Sequence, residues 1–325
     1  MNICVIGAGA WGMAIAIHLD LCGHFVTLVP RNLEYALNLN STRESAKYLK
    51  GIKLPESIQI NSQLHSVLIE TECLYIACPS YGLRILCNSL KKYFNNYSRL
   101  NFIITLCKGI EPSTQMTPLQ ILNSFLPDIS CGVISGPSFA LDVAYGKPTS
   151  LVFGEKKGNI NNQCIPQGNK INVYHTNDWL GVELGGCLKN IYAIGAGVCD
   201  GLQLGENAKA TYLTKALNEM VDLGVKLGGN QCTFYGLSGA GDLFLTCMGQ
   251  KSRNRIFGEQ ISQGNSLKKL MKIYNTLEGY HTVLSVYKKC KKLKLNTPIL
   301  NEIYFLLYTK KSPIIVFDKI LTKIS

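Results

Sequence analysis

No two of the thirteen cysteines stand three positions apart, so the chain lacks the C-x-x-C pair that a zinc site or a dithiol redox motif uses. The count is odd, and most of these residues sit in apolar patterns, as Cys73 and Cys78 do around LYIA. That predicts reduced core thiols in a cytosolic protein rather than a disulfide framework, and no metal site. Proline is scarce, 11 residues against 30 glycines, and only 17% of the chain is charged, which excludes collagen-like, proline-rich and disordered classes. A basic leader is missing too. The N-terminal MNICVIGAGAWGMAIAIHL is apolar, but three glycines break it and His18 and Asp20 arrive early, so neither an export signal nor a spanning helix is expected there. The other long apolar stretch, residues 183–199, carries Lys189 near its middle and four glycines, which reads as a buried helix without stable membrane insertion. Repeats and low-complexity segments are absent.

What is present is a chain of 325 residues, long enough for about two domains and a large core. Lys and Arg exceed Asp and Glu by 33 to 21, a balance that admits anionic partners without choosing among them. The basic clusters KKCKKLK (288–294), LKKLMK (267–272) and LKK (90–92) fall on separate helical patterns without interleaved aromatics; they predict solvated faces and no nucleic-acid partner.

The first half alternates β-branched runs with helical patterns, the signature of a parallel sheet covered by helices. Strands are expected at 3–6, 25–29, 73–78, 102–106, 131–135, 150–153 and 172–175, and helices at 13–21 and 83–94, the first capped by Gly23. Residues 154–170 read as a polar, turn-rich loop. From about residue 180 the pattern becomes helical: Leu213, Ala216, Leu217, Met220 and Val221 mark one buried face that Gly228-Gly229 stops, and helices follow near 255–263, 266–273, 279–293 and 298–308. The junction falls near 180–186.

The sequence GAGAWG follows a predicted strand and opens a predicted helix. Gly7 permits the tight turn, Gly9 lets backbone approach a pyrophosphate and Gly12 allows close helix–strand packing, so dinucleotide binding is expected. The second strand ends in Val29-Pro30-Arg31-Asn32 with no acid before Glu34; Arg31 can pair with a 2′-phosphate, which favours NADPH over NADH. Three more strand ends carry Cys78-Pro79-Ser80, Cys107-Lys108-Gly109 and Ser135-Gly136-Pro137-Ser138, the segments expected to surround a nicotinamide in a doubly wound sheet. Lys108 there suits an anionic substrate. Lys189 and Asn190 interrupt a small, apolar helix; desolvation would push the lysine toward neutrality, as proton transfer requires, while the other reading is a stem in the core with its head in water. Further on, Asp242 is a single acid in an apolar run with Thr246 one helical turn later, and Ser252, Arg253, Asn254 and Arg255 gather donors suited to a phosphate at a helix start.

Together, GAGAWG, TLCKGIE (105–111), ISGPSFA (134–140), GVELGGCLKNIYAIGAGVCDGL (181–202), GLSGAGDLFLTC (236–247), SRNRIFG (252–258) and EGYHT (278–282) resemble the bacterial NAD(P)-dependent glycerol-3-phosphate dehydrogenase family, in order and over nearly the whole chain. The resemblance implies an α/β fold: a Rossmann-type doubly wound dinucleotide-binding domain at 1–182, then an all-helical substrate domain at 183–325. It implies reversible reduction of dihydroxyacetone phosphate to sn-glycerol 3-phosphate with NADPH or NADH, feeding phospholipid synthesis in the cytoplasm, and it is compatible with a homodimer. By resemblance the cofactor contacts are Gly7, Gly9, Ala10, Trp11, Gly12, Arg31, Lys108, Ala140, Arg253, Thr276 and Glu278. The substrate contacts are Lys108, Gly136, Ser138, Lys189, Asp242, Ser252, Arg253 and Asn254. Lys189 matches the proton donor and acceptor, supported by Lys108 and Asp242. Thr276 stands where the family commonly has valine. A nonenzymatic NADPH sensor would need only the glycine loop, and a ketopantoate-type reductase would keep the lysine without the Arg253 grip; the co-occurrence of Lys108, Lys189, Asp242 and Ser252-Arg253-Asn254 separates this chain from both.

Overall fold

A computed structural model describes residues 1–156, 161–274 and 277–323. The chain divides into two units, one of residues 1–107 and 118–179, the other of 108–117 and 180–325.

In the first unit, β-branched runs too apolar to face water on either side become the strands of one sheet. These are β1 (Asn2–Ile6), β2 (Phe25–Val29), β3 (Gln59–Ile60), β4 (Cys73–Ile76), β5 (Phe102–Thr105), β6 (Ser130–Ser135), β7 (Thr149–Glu155) and β8 (Ile171–Thr176). Their order is β3-β2-β1-β4-β5-β6-β7-β8. The order reverses at β1, so the neighbours β1 and β4 part their connections to opposite sides, the topology that opens a ligand crevice beyond the carboxyl ends of strands. All pairs are parallel except β6 with β7. The connecting helices are α1 (Ala10–Leu21), α2 (Leu33–Thr42), α3 (Leu64–Ile69), α4 (Ser80–Tyr93), α5 (Pro118–Phe125) and α6 (Ala140–Ala144). The antiparallel step departs from the expected uniform pattern. Residues 136–148 join β6 to β7 and hold only the five-residue helix α6, and β7 enters the sheet in the opposite sense. Gly23 ends α1 at φ +83°, as expected of its cap. The core includes Val5, Ile15, Leu28, Tyr75, Ile104 and Phe153.

The second unit is helical: α7 (Trp179–Gly201), α8 (Gly205–Lys226), α9 (Gln231–Tyr235), α10 (Asp242–Met248), α11 (Arg253–Ser262), α12 (Leu267–Ile273), α13 (Glu278–Lys292), α14 (Pro298–Tyr308) and α15 (Pro313–Thr322). Leu213, Ala216, Met220 and Val221 of α8 are buried, and Gly228 follows its end at φ +103°. Helix α7 is buried almost throughout, and small residues let neighbours approach its backbone. A Cβ on Gly197 would lie 1.8 Å from the Arg255 carbonyl oxygen, and one on Gly258 would lie 1.9 Å from that of Ile194. This fixes α11 directly on α7. Among the described residues no helix is long and apolar enough to cross a membrane.

Candidate active site

In the first unit the glycine loop occupies the turn from β1 into α1. Gly7 adopts φ +104°, a region open chiefly to glycine, and a Cβ on it would lie 2.7 Å from the Ala77 carbonyl. A Cβ on Gly12 would sit 1.8 Å from the Gly7 carbonyl oxygen, so helix and loop need a bare backbone there. Gly9 is different: nothing lies within 4 Å of the Cβ position. It is the N-cap of α1, without a side-chain cap and with no acid in the first turn, leaving backbone N–H groups and the helix dipole for an anion. The buried Trp11 Nε1 has no hydrogen-bond partner, a polar atom that a ligand here can satisfy. These features fit the diphosphate of a dinucleotide. Arg31 is exposed just beyond β2, where Asn32 caps α2 by accepting from the Tyr35 N–H at 2.9 Å. Gly136, at φ +143°, and Ser138, whose hydroxyl donates to the Gly136 carbonyl at 3.0 Å, follow β6, and Ala140 opens α6.

The second unit assembles the charged cluster. A Cβ on Gly185 would be 2.5 Å from the Ser238 carbonyl oxygen, so α7 is pressed against the single π-helical turn Leu237–Gly241 that precedes α10. Four residues further along each segment stand Lys189 and Asp242, on the same sides of their helices as those contact points. The Lys189 ammonium donates to Asp242 Oδ1 and, at 2.9 Å, to the Thr246 hydroxyl. The other carboxylate oxygen, Oδ2, accepts from Lys108 Nζ at 2.8 Å. Asp242 is 1% exposed and Lys189 7%, so the core-stem reading with a head in water is excluded. One buried carboxylate thus serves two cations and the cluster keeps a net positive charge. Burial pushes the Lys189 ammonium down to about 8; Asp242 opposes that shift and the neighbouring Lys108 cation adds to it. A lysine so placed can exchange a proton near neutral pH.

A chain of amides ties the SRN segment to this cluster. Asn190 Nδ2 donates to the Lys108 carbonyl at 3.4 Å, Asn254 Nδ2 to Asn190 Oδ1 at 2.9 Å, and the Gly279 N–H to Asn254 Oδ1 at 3.2 Å. Ser252 is the N-cap of α11, accepting from the Arg255 N–H at 3.3 Å, and Arg253 is exposed at the first position of that helix. Arg255, counted with the phosphate-binding donors from sequence, is committed elsewhere: its guanidinium pairs with Asp200 and, at 3.3 Å, with Glu259. Its charge braces α11 against the end of α7. Glu278 opens α13, and Thr276 lies outside the described residues.

Lys108 and Lys189, separate in the sequence, therefore meet on the one Asp242 carboxylate. Two residues given no role from sequence join them, Thr246 on the lysine and Asn190 between Lys108 and Asn254. The signal for both was a hydrogen-bonding side chain inside an apolar helical run, adjacent to or one turn from a charge.

Comparison with known proteins agrees in both halves. The family model described as NAD-dependent glycerol-3-phosphate dehydrogenase N-terminus matches residues 2–161, and that described as its C-terminus matches residues 178–318. A Nitrosomonas eutropha protein named glycerol-3-phosphate dehydrogenase (NAD(P)+) is 39% identical over 95% of this chain and 93% of its own length. A protein of the same name from a Thermoanaerobacter species is 40% identical over 96% of this chain and 94% of its own. The crystal structure of glycerol-3-phosphate dehydrogenase from Coxiella burnetii superposes with a TM-score of 0.93 at 29% identity, covering 98% of each chain. A ketopantoate reductase from Ralstonia eutropha, at TM-score 0.59 and 14% identity over 98% of this chain and 99% of its own, shares the fold alone. The chain belongs to the NAD-dependent glycerol-3-phosphate dehydrogenase family.

Proposed function

We propose that this protein is an NAD(P)H-dependent oxidoreductase that reversibly reduces dihydroxyacetone phosphate to sn-glycerol 3-phosphate. The observation that carries the reading is the buried Asp242 carboxylate shared by Lys108 and Lys189, in a chain of this family. Residues 1–182 serve as the dinucleotide-binding domain and 183–325 as the substrate domain. The glycine loop, Ala10, Trp11 and Ala140 hold the cofactor, and Arg31 favours NADPH through its 2′-phosphate. When bound, the reduced nicotinamide supplies the hydride.

The protein's own groups manage charge. Hydride addition to the carbonyl carbon leaves negative charge on its oxygen, which must be neutralised as it develops. Lys189 as ammonium donates the proton; in the oxidative direction the neutral amine accepts it from the alcohol. Asp242 and Thr246 fix the Lys189 Nζ and offset its burial, while Lys108 supplies a second cation beside the same carboxylate. Arg253 grips the phosphate, with Ser252 and Asn254 setting the start of α11. We assign the activity to the cytoplasm, where it supplies glycerol phosphate for phospholipids, and a homodimer as its assembly.

The test follows NADPH and NADH oxidation with dihydroxyacetone phosphate for the native chain and Lys189→Ala. Turnover in the native chain and a loss of roughly 100-fold or more in the variant are expected. Absence of turnover with either cofactor refutes the activity, and an undiminished variant refutes the role of Lys189.

A further inference from the structure

Strands β4 and β5 are in register with Ile76 beside Thr105, and the ladder continues through the Leu106 N–H, which donates to the Ile76 carbonyl at 2.9 Å. Two residues beyond each strand end, Cys78 and Cys107 meet through their side chains. Their sulfurs are 4.0 Å apart, and the Cys107 thiol donates to the Cys78 carbonyl at 3.0 Å. Neighbouring strands lie about 4.8 Å apart, inside the Cα separation of about 4.4–6.8 Å that a disulfide accepts. Cys73 and Cys164 also interact, but both are buried, whereas Cys78 is half-buried and reachable from solvent. The Ala77–Cys78 peptide is also the surface against which the glycine loop rests: the Cβ position of Gly7 is 2.7 Å from the Ala77 oxygen and 3.3 Å from the Cys78 nitrogen.

We propose that Cys78 and Cys107 are a redox-responsive pair, joined by mild oxidation in a disulfide that shifts the support of the glycine loop and weakens dinucleotide binding. The effect on binding rests on the loop being the dinucleotide site; cross-link formation does not. With hydrogen peroxide as oxidant, the Cys78 thiolate attacks one oxygen, the O–O bond breaks and the departing hydroxide takes a proton to become water. The Cys107 sulfur then displaces the hydroxyl of the Cys78 sulfenic acid as a second water, forming the S–S bond. Two thiols give up two electrons and two protons, and one peroxide becomes two waters.

The experiment treats the full chain with hydrogen peroxide, digests it without reductant and looks by mass spectrometry for the Cys78 and Cys107 peptides joined with the loss of two hydrogens. NADPH affinity is measured by fluorescence before and after, and again after dithiothreitol. The linked peptide and a rise of about tenfold in NADPH Kd, reversed by dithiothreitol, are expected, while Cys107→Ser shows the same Kd before and after oxidant. No linked peptide under conditions that oxidise the exposed Cys232 overturns the proposal, as does a linked peptide with unchanged Kd. A reduced protein that binds NADPH but does not turn over dihydroxyacetone phosphate refutes the proposed reaction and leaves this inference intact.

Discussion

Replacing Asp242 by Asn removes one charge from a cluster of three while keeping the side chain's size. Opposite charges at hydrogen-bond distance attract by about 5 kcal/mol at an effective dielectric of about 20. If relaxation and water entry recover half, Lys189 loses about 2.5 kcal/mol of support for its charged form, or nearly two pH units at about 1.36 kcal/mol each. Lys108 remains nearby as a like charge and acts in the same direction. The native ammonium titrates at about 8, so the variant's should titrate near ~6. The sign follows from the direction of transfer. With Lys189 as the proposed proton carrier, reduction needs the ammonium and declines as pH rises through the pKa, while oxidation needs the amine and declines as pH falls through it. At pH ~7.5 the donor population falls by roughly 25-fold, and at pH ~5.5 most of it returns. The assay is kcat/KM for dihydroxyacetone phosphate reduction from about pH 5.5 to 9 in both proteins, which reports the free enzyme's essential acid. A descending limb that stays near 8 while the whole profile drops would refute the coupling of Asp242 to the Lys189 charge.

The glycines of the first unit separate fold from binding. Gly12→Ala forces a Cβ to 1.8 Å from the Gly7 oxygen and should cost about 1–3 kcal/mol, seen as a lower Tm together with weaker NADPH binding. Gly9→Ala, with open space at its Cβ, should keep the native Tm and lose dinucleotide affinity; loss of both in Gly9→Ala would place the loop's constraint in folding instead. Burial disfavours ionisation of Glu302, yet its pairs with Lys311 and Lys319 hold its carboxyl below the ordinary value. Its contribution is therefore present above the ordinary carboxylate pKa and lost as pH falls through the depressed one, so the stability gap between the native chain and Glu302→Gln should shrink in acid. Urea melts at several pH values check this, and a constant gap would contradict it.

The strands were legible because β-branched, two-sided apolar runs have few alternatives: each of the seven expected segments overlaps a strand. β3 was not, since the two residues Gln59–Ile60 carry no pattern and pair only because β2 offers an edge. The terminal helix α15 hides behind Ile314-Ile315-Val316-Phe317, a run with strand propensity that Pro313 starts as a helix. At the site, Lys189 and Asp242 announced themselves as charges inside apolar helices. That Lys108 shares the same carboxylate was not legible, because it lies 134 residues from Asp242 and their meeting depends on how the helical unit packs. Arg255 illustrates the opposite error. Its neighbours in sequence suggested a phosphate grip, while Asp200, far away in sequence, takes its charge.

In the proposed reaction, hydride passes to the carbonyl carbon of dihydroxyacetone phosphate and Lys189 supplies the proton. Incubation with NADPH deuterated at the transferable position of the nicotinamide C4, followed by mass spectrometry and NMR of the product, tests it most directly. The prediction is sn-glycerol 3-phosphate with one deuterium at C2, formed by the native chain and suppressed in Lys189→Ala. Product without deuterium at C2, or no glycerol phosphate at all from the native chain, would contradict it.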